Sequence, residues 1–276
     1  MSRPLRAAPL VVVALACAAQ APPPKQVAFD ALGPETIQAR LQSVPRKLAD
    51  RVVKLESIFH EAGCDGDHFR EQPVKHSKAP NLICTLPGAA DSEIVVGGHV
   101  DSIEEGMGAV DDWSGAVLLP SLYESLKNTP HRHRFVFVGF AGEESGLHGS
   151  SQFVKELDHD GTRRIHAMIN LECLGLGEPE VWVSRADKRL LEAYSLVTNS
   201  LHVQSRGMNV DRVGDDDSHP FMNARIPVLT IHSVTSQTLR ILHTPADNLS
   251  AIDPRDYYTT YRLTAAYLAY LDTALE

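Results

Sequence analysis

The sequence predicts an α/β domain, a mostly parallel β-sheet covered by helices on both faces. Short apolar runs alternate along the chain with segments of helical spacing, the pattern of strand–helix–strand units. Two of those runs, VFVGF and VLTIH, are apolar at nearly every position, as in strands buried on both sides. A hydrophobic content of 43% over 276 residues suffices for one large core, and neither an internal repeat nor a second domain is evident.

Taken in order, the elements begin with a leader. Arg3 and Arg6 precede the apolar run 7–16, and the Pro-rich APPPKQ follows, so residues 1–18 read as a signal peptide. Ala14-Leu15-Ala16-Cys17 also resembles a bacterial lipoprotein box; cleavage after residue 16 would leave Cys17 as a lipid anchor and the sole membrane contact. Either reading expects export, as a periplasmic or outer-membrane lipoprotein or a secreted protein. Residues 19–40 then read as a Pro-rich tether and 41–276 as the catalytic domain. Over 45–62, Leu48, Val52, Val53, Leu55, Ile58 and Phe59 recur at helical spacing, and Gly63 is a stop signal. Strands are expected at 81–86, 93–98, 134–140, 165–171, 180–184 and 227–232. Helices are expected at 113–126, 149–157, 187–201 and 256–275. Pro120 should kink or break the first of these. Cys64 and Cys84 are close enough in the chain to pair once exported, whereas Cys173 reads as a packed free thiol. His131 and His133 read as solvated and His148 as packing.

A net charge of −9 without a Lys/Arg run argues against a nucleic-acid partner. No apolar stretch reaches the roughly 18 residues of a membrane-spanning helix.

The chemistry is carried by carboxylates and histidines at the ends of apolar runs. They are His99 and Asp101 in GGHVDS, Asp111-Asp112 in GAVDDWSG, Glu143-Glu144 in AGEESG, Glu172 in INLECLG and His243 in LHTPADN. Strand ends of an α/β sheet gather such groups into one crevice, which points to a two-metal hydrolase. Asp101, two residues beyond His99 on an extended chain, is placed to accept a hydrogen bond from the ring nitrogen of His99 that faces away from metal. Of the aspartate pair, one can cap the helix and the other, Asp111, can bridge two ions. Two adjacent glutamates after a buried strand are expensive unless paired with metal. Glu144 is assigned as a ligand and Glu143 as the proton carrier; Glu172 and His243 complete the ligands, with Asp247 behind His243.

In this order, the motifs GGHVDS, GAVDDWSGA, AGEESGLHGS, INLECLG, PFMNARIPVL and HTPADN resemble the di-zinc aminopeptidases of peptidase family M28, over roughly residues 40 to 275. The resemblance implies a three-layer α/β/α sandwich around a central mostly parallel mixed sheet. It implies one zinc held by His99, Asp111 and Glu172, a second by Asp111, Glu144 and His243, and cobalt or manganese as substitutes. Glu143 matches the general base. Asp101 matches the supporting residue usually followed by a cis peptide, here Asp101–Ser102. The substrates would be peptides with a free N-terminus. Three departures stand out. Glu172 replaces the more usual Asp, and Arg225 stands where Gly commonly precedes Ile-Pro. The run Asp216-Asp217-Ser218-His219 replaces Ser-Asp-His and supplies His219 and Asp217 as candidate substrate contacts. The rival readings are a glutaminyl cyclase with one zinc, another exopeptidase with the same metal pair such as a dipeptidase or carboxypeptidase, and a non-catalytic binding protein on the same fold.

Overall fold

The computed structural model describes residues 27–210 and 214–275. The expected signal peptide, the Cys17 anchor and the tether up to residue 26 lie outside them. An eight-stranded mixed sheet is built from β1 (Phe69–Gln72), β2 (Asn81–Leu86), β3 (Glu93–His99), β4 (Arg134–Phe140), β5 (Ile165–Glu172), β6 (Glu180–Val181), β7 (Arg206–Gly207) and β8 (Val228–His232). Its order is β1-β2-β4-β3-β5-β8-β6-β7. The central strands β4, β3, β5 and β8 are mutually parallel. Antiparallel pairings bring β1 and β2 to one edge and β6 to the other, where β7 joins β6 in parallel.

The helices are α1 (Pro34–Gln42), α2 (Leu48–Glu61), α3 (Ser114–Ala116), α4 (Leu118–Leu126), α5 (His148–Lys155), α6 (His159–Arg164), α7 (Lys188–Leu201), α8 (Ser218–Asn223) and α9 (Pro254–Ala274). The period-two pleat divides the strand side chains between two cores. Phe135 and Phe137 pack with residues of α1, α2, α4, α7 and α9; Val136, Val138 and Phe140 pack with Phe153 of α5 and Phe221 of α8. Two helical layers therefore enclose the sheet, the expected sandwich.

Several local expectations change. Residues 27–40, read as tether, belong to the fold: Val27, Phe29 and Leu32 pack on the core and α1 buries Ile37 and Leu41. The helix at 113–126 is broken at Val117 into α3 and α4. Pro120 lies in the first turn of α4, where its missing N–H has no partner to lose. On α2, Val53 is 65% exposed while Arg51 is buried. The apolar stripe thus departs from expectation at Val53, because Arg51 finds partners beneath the sheet end. Of 180–184, only Glu180–Val181 pairs as strand. His133 is buried rather than solvated: its Nε2 lies 3.2 Å from the Leu275 carbonyl, and Asp272 of α9 accepts its main-chain N–H at 2.8 Å. His131 is half-buried, its Nε2 2.7 Å from the Leu126 carbonyl. Both histidines are covered because α9 returns over the start of β4, which local polarity does not reveal. Cys64 and Cys84 form a disulfide, and Cys173 is free and buried.

Candidate metal centre

The parallel strands end side by side, so whatever follows them converges. His99 is the last residue of β3 and Glu172 the last of β5. Asp111 follows β3, Glu143 and Glu144 follow β4, and His243 follows β8. All five expected ligands and Glu143 meet there.

Asp111 is the hinge of the arrangement. Its Oδ1 lies 3.0 Å from His99 Nε2 and its Oδ2 lies 3.1 Å from His243 Nε2. Glu172 Oε1 sits 3.4 Å from His99 Nε2 on one side, and Glu144 Oε2 sits 3.2 Å from His243 Nε2 on the other. One carboxylate thus faces two half-sites, His99 with Glu172 and His243 with Glu144. The donor atoms of His99, Asp111 and Glu144 fall within 4.8 Å of one another, as do those of Asp111, Glu172 and Cys173. Glu144 Oε1 is buried without a hydrogen-bond partner. Imidazole and carboxylate donors around such an orphaned oxygen suit zinc.

The electrostatics describe a cluster short of positive charge. Burial, with Glu172, Asp217 and Asp111 nearby, pushes Glu143 up to about 10 against the pull of His99. Burial and the neighbouring Asp111 push Glu144 up to about 7. Burial raises Glu172 as well. Asp111 differs: burial pushes it up, but hydrogen bonds from His243 and His99 outweigh this and hold it below the usual carboxylate range. The bond to Asp111, with help from Glu144, raises His243 to about 9 despite some burial. So many carboxyl groups cannot all ionise together unless cations join them.

The supporting contacts differ from expectation in instructive ways. The carbonyl oxygen of Asp101, not its carboxylate, lies 3.1 Å from His99 Nδ1; the carboxylate oxygen is 3.7 Å away. The expected i,i+2 alignment fails because β3 ends at His99 and the chain turns. A carbonyl can only accept, so Nδ1 carries the proton and Nε2 faces the cluster. The Asp101 carboxylate instead accepts the main-chain N–H groups of Gly142, Glu143 and Glu144 at 2.9, 3.2 and 3.2 Å, fixing the loop that carries both glutamates. The cis peptide expected at Asp101–Ser102 is found at Asp111–Asp112. Asp112 is the capping partner: it accepts N–H groups from Gly115, Cys173 and His99 at 3.0, 3.0 and 3.1 Å, tying α3, β5 and β3 together. A Cβ on Gly115 would meet an Asp112 oxygen at 2.5 Å, so this close approach requires glycine. Asp247 accepts the N–H groups of Val110 and Asp111 at 2.7 and 3.2 Å, positioning Asp111 rather than His243.

Arg51 was missed by sequence reasoning. Its guanidinium donates to Ser102 Oγ at 2.7 Å and to the carbonyls of Met107 and Gly108 at 3.2 and 2.7 Å, beside the Trp113 ring. It is a buried cation beneath the acidic loop, and nothing distinguishes it from a solvated helix arginine in the sequence.

The centre forms one end of a cleft of about 870 Å³. Leu147, Trp182, Val234, Leu239 and Leu242 make much of its apolar wall. His219 lines it, with Nδ1 2.9 Å from Asp215 Oδ2. Asp217, the other expected substrate contact, does not. It is wholly buried, and burial pushes it up to about 8. Asp216, adjacent in sequence, lines the cleft instead.

Comparison with known proteins gives a family, one relative and two solved structures. The family described as peptidase family M28 matches residues 81–268. A probable leucine aminopeptidase of Arthroderma otae is 30% identical over 143 residues, 46% of this chain and 38% of that protein. Among solved structures, a zinc aminopeptidase from Bacillus subtilis superposes with a TM-score of 0.64 at 23% identity, over 72% of this chain and 50% of that one. An Acidobacteriales bacterium glutaminyl cyclase does so with 0.73 at 18% identity, over 92% and 99%. The two structures show the fold. The chain spans less than two fifths of the curated relative's length.

Proposed function

The chain belongs to peptidase family M28, and from that premise we propose that it is a zinc-dependent aminopeptidase, releasing the N-terminal residue of peptides. The observation that carries this is the Asp111 carboxylate, with one oxygen 3.0 Å from His99 and the other 3.1 Å from His243. Such a carboxylate could serve two ions: His99, Asp111 and Glu172 would hold one, and Asp111, Glu144 and His243 the other. Zinc, when bound, supplies a Lewis acid for the scissile carbonyl and makes water acidic enough to attack near neutral pH.

Glu143 takes the proton of the attacking water and returns it to the departing nitrogen. Its carboxyl faces the cleft, and its Oε2 lies 4.0 Å from His99 Nε2, beyond hydrogen-bond reach, so its proton is not committed to the ligand. Asp101 keeps Glu143 and Glu144 in register through their main-chain N–H groups. Carboxylates lining the cleft attract a free α-amine, which favours chain ends. The apolar wall of Leu147, Trp182, Val234, Leu239 and Leu242 accepts an apolar first side chain.

The basic and apolar leader supports export, with lipidation of Cys17 as the membrane-attached form. One rival keeps a specific observation in its favour, since the glutaminyl cyclase is matched over nearly its whole length. The two readings separate on a panel of aminoacyl-nitroanilides run beside a peptide beginning with glutamine. Chelator-sensitive release of nitroaniline from apolar residues establishes the aminopeptidase. Cyclisation of glutamine without release establishes the rival.

A further inference from the structure

At the pole opposite the metal centre, where β5 and β8 begin, lies a second cavity of about 570 Å³. Arg163, Arg189, Arg225, His159 and His166 line it, and no carboxylate does among the described residues. On a chain of net charge −9 such a pocket runs against the average. Of the nearby acids, one is engaged away from the lining and two face residues of it. Asp158 caps α6 through Gly161 N–H, Asp160 lies 3.4 Å from the exposed His159, and Asp187 caps α7, its Oδ1 3.6 Å from Arg189 Nε. Arg163 and Arg225 make no ion pair among the described residues. His166 senses the positive field: burial, then His133, Arg132 and Arg189, lower its affinity for a proton.

Arginines near the C-termini of α6 and α8 have a simpler use, offsetting helix dipoles. That use does not account for Arg225. Its φ is +63°, a left-handed conformation that costs free energy in any residue with a side chain. A glycine there would turn the chain without strain; this chain holds a guanidinium there instead, in the pocket.

We propose that this pocket is a receptor for a phosphate oxyanion, gripped by the guanidinium groups of Arg163, Arg189 and Arg225. Planar guanidinium donors match tetrahedral oxyanions in charge and geometry. The anion can be free phosphate or the headgroup of an acidic phospholipid. In the second case the enzyme sits on the membrane with its cleft turned to solvent.

The test titrates the zinc-loaded chain with inorganic phosphate by calorimetry, at ionic strength held constant with chloride. A parallel arm measures co-sedimentation with phosphatidylglycerol vesicles against phosphatidylcholine vesicles. The variants are Arg225→Gly, which removes the strained side chain and should fold at least as well, and the double variant Arg163→Gln with Arg225→Gly. The expected result is saturable phosphate binding, weakened about threefold in the single variant and at least tenfold in the double, with nitroanilide hydrolysis unchanged. Retention on phosphatidylglycerol that the double variant loses identifies the headgroup; phosphate binding without retention identifies free phosphate. Equal binding by wild type and double variant, as phosphate held at the metal centre would give, overturns the proposal. So does no binding in either arm.

Discussion

At the scale of single residues, the proposed function rests on a division of labour within adjacent pairs. Glu144 faces His243 and Glu143 does not, so Glu143→Gln should lower turnover roughly a hundred- to ten-thousandfold while metal content stays at the wild-type level. Retained turnover would remove Glu143 as the proton carrier, and lost metal would make it a ligand. Asp101 acts at one remove. Asp101→Asn replaces an acceptor oxygen with a donor facing the N–H groups of the glutamate loop. Zinc affinity measured with a competing chelator should fall about ten- to a hundredfold; unchanged affinity would confine Asp101 to packing. The convergence of these carboxylates and imidazoles was legible because strand ends of an α/β sheet meet in one crevice. The partner of His99 was not, since two-residue periodicity predicts a shared face only while the chain stays extended. Asp217 was misread for a related reason: local polarity marks a candidate contact, but burial behind the cleft wall is a tertiary property.

At the scale of elements, Asp112 and the disulfide hold the centre's supports. Asp112 receives N–H groups from β3, β5 and α3, so Asp112→Asn leaves at least one donor facing a donor in a buried site. It should cost about 1–3 kcal/mol in chemical denaturation, and an unaffected midpoint would show that the three segments are held otherwise. Cys64–Cys84 joins the end of α2 to β2 across 20 residues, and closing such a loop stabilises by about 3 kcal/mol. Its reduction should lower stability by that order without releasing metal. The central strands were legible from their apolar runs. β1 and β7 were not, because exposed edge strands lack such a run. The helical stripe of α2 was legible at Val52, Leu55, Ile58 and Phe59 but not at one residue: hydrophobicity puts Val53 inside, whereas hydrogen bonds and the Trp113 ring take Arg51 there.

At the scale of the whole molecule, the proposed metal centre would couple catalysis to stability. Without metal, Glu143, Glu144 and His243 bind protons more tightly folded than unfolded, at about 10, 7 and 9. A group whose folded pKa is raised adds stability below its unfolded value relative to above its folded one, so these contributions fall as pH rises from about 5 to 9. Asp111 is shifted the other way, and its contribution changes only in more acidic solution. The melting temperature of the chelated chain should therefore fall between pH 5.5 and 8.5. Zinc should restore it by an amount that grows with pH, because bound ligands have already lost their protons. A chelated chain that becomes more stable with rising pH would contradict this account of the cluster. The sandwich itself was legible from alternation alone, whereas the basic pole was not, since its residues come from separate segments that only the sheet brings together. The most direct test of the central claim is the stoichiometry of reactivation. The chain is stripped of metal, zinc is returned in measured equivalents, and hydrolysis of leucine nitroanilide is followed. Full activity at two equivalents per chain is the predicted result; a plateau at one equivalent, or turnover without metal, would contradict a centre bridged by Asp111.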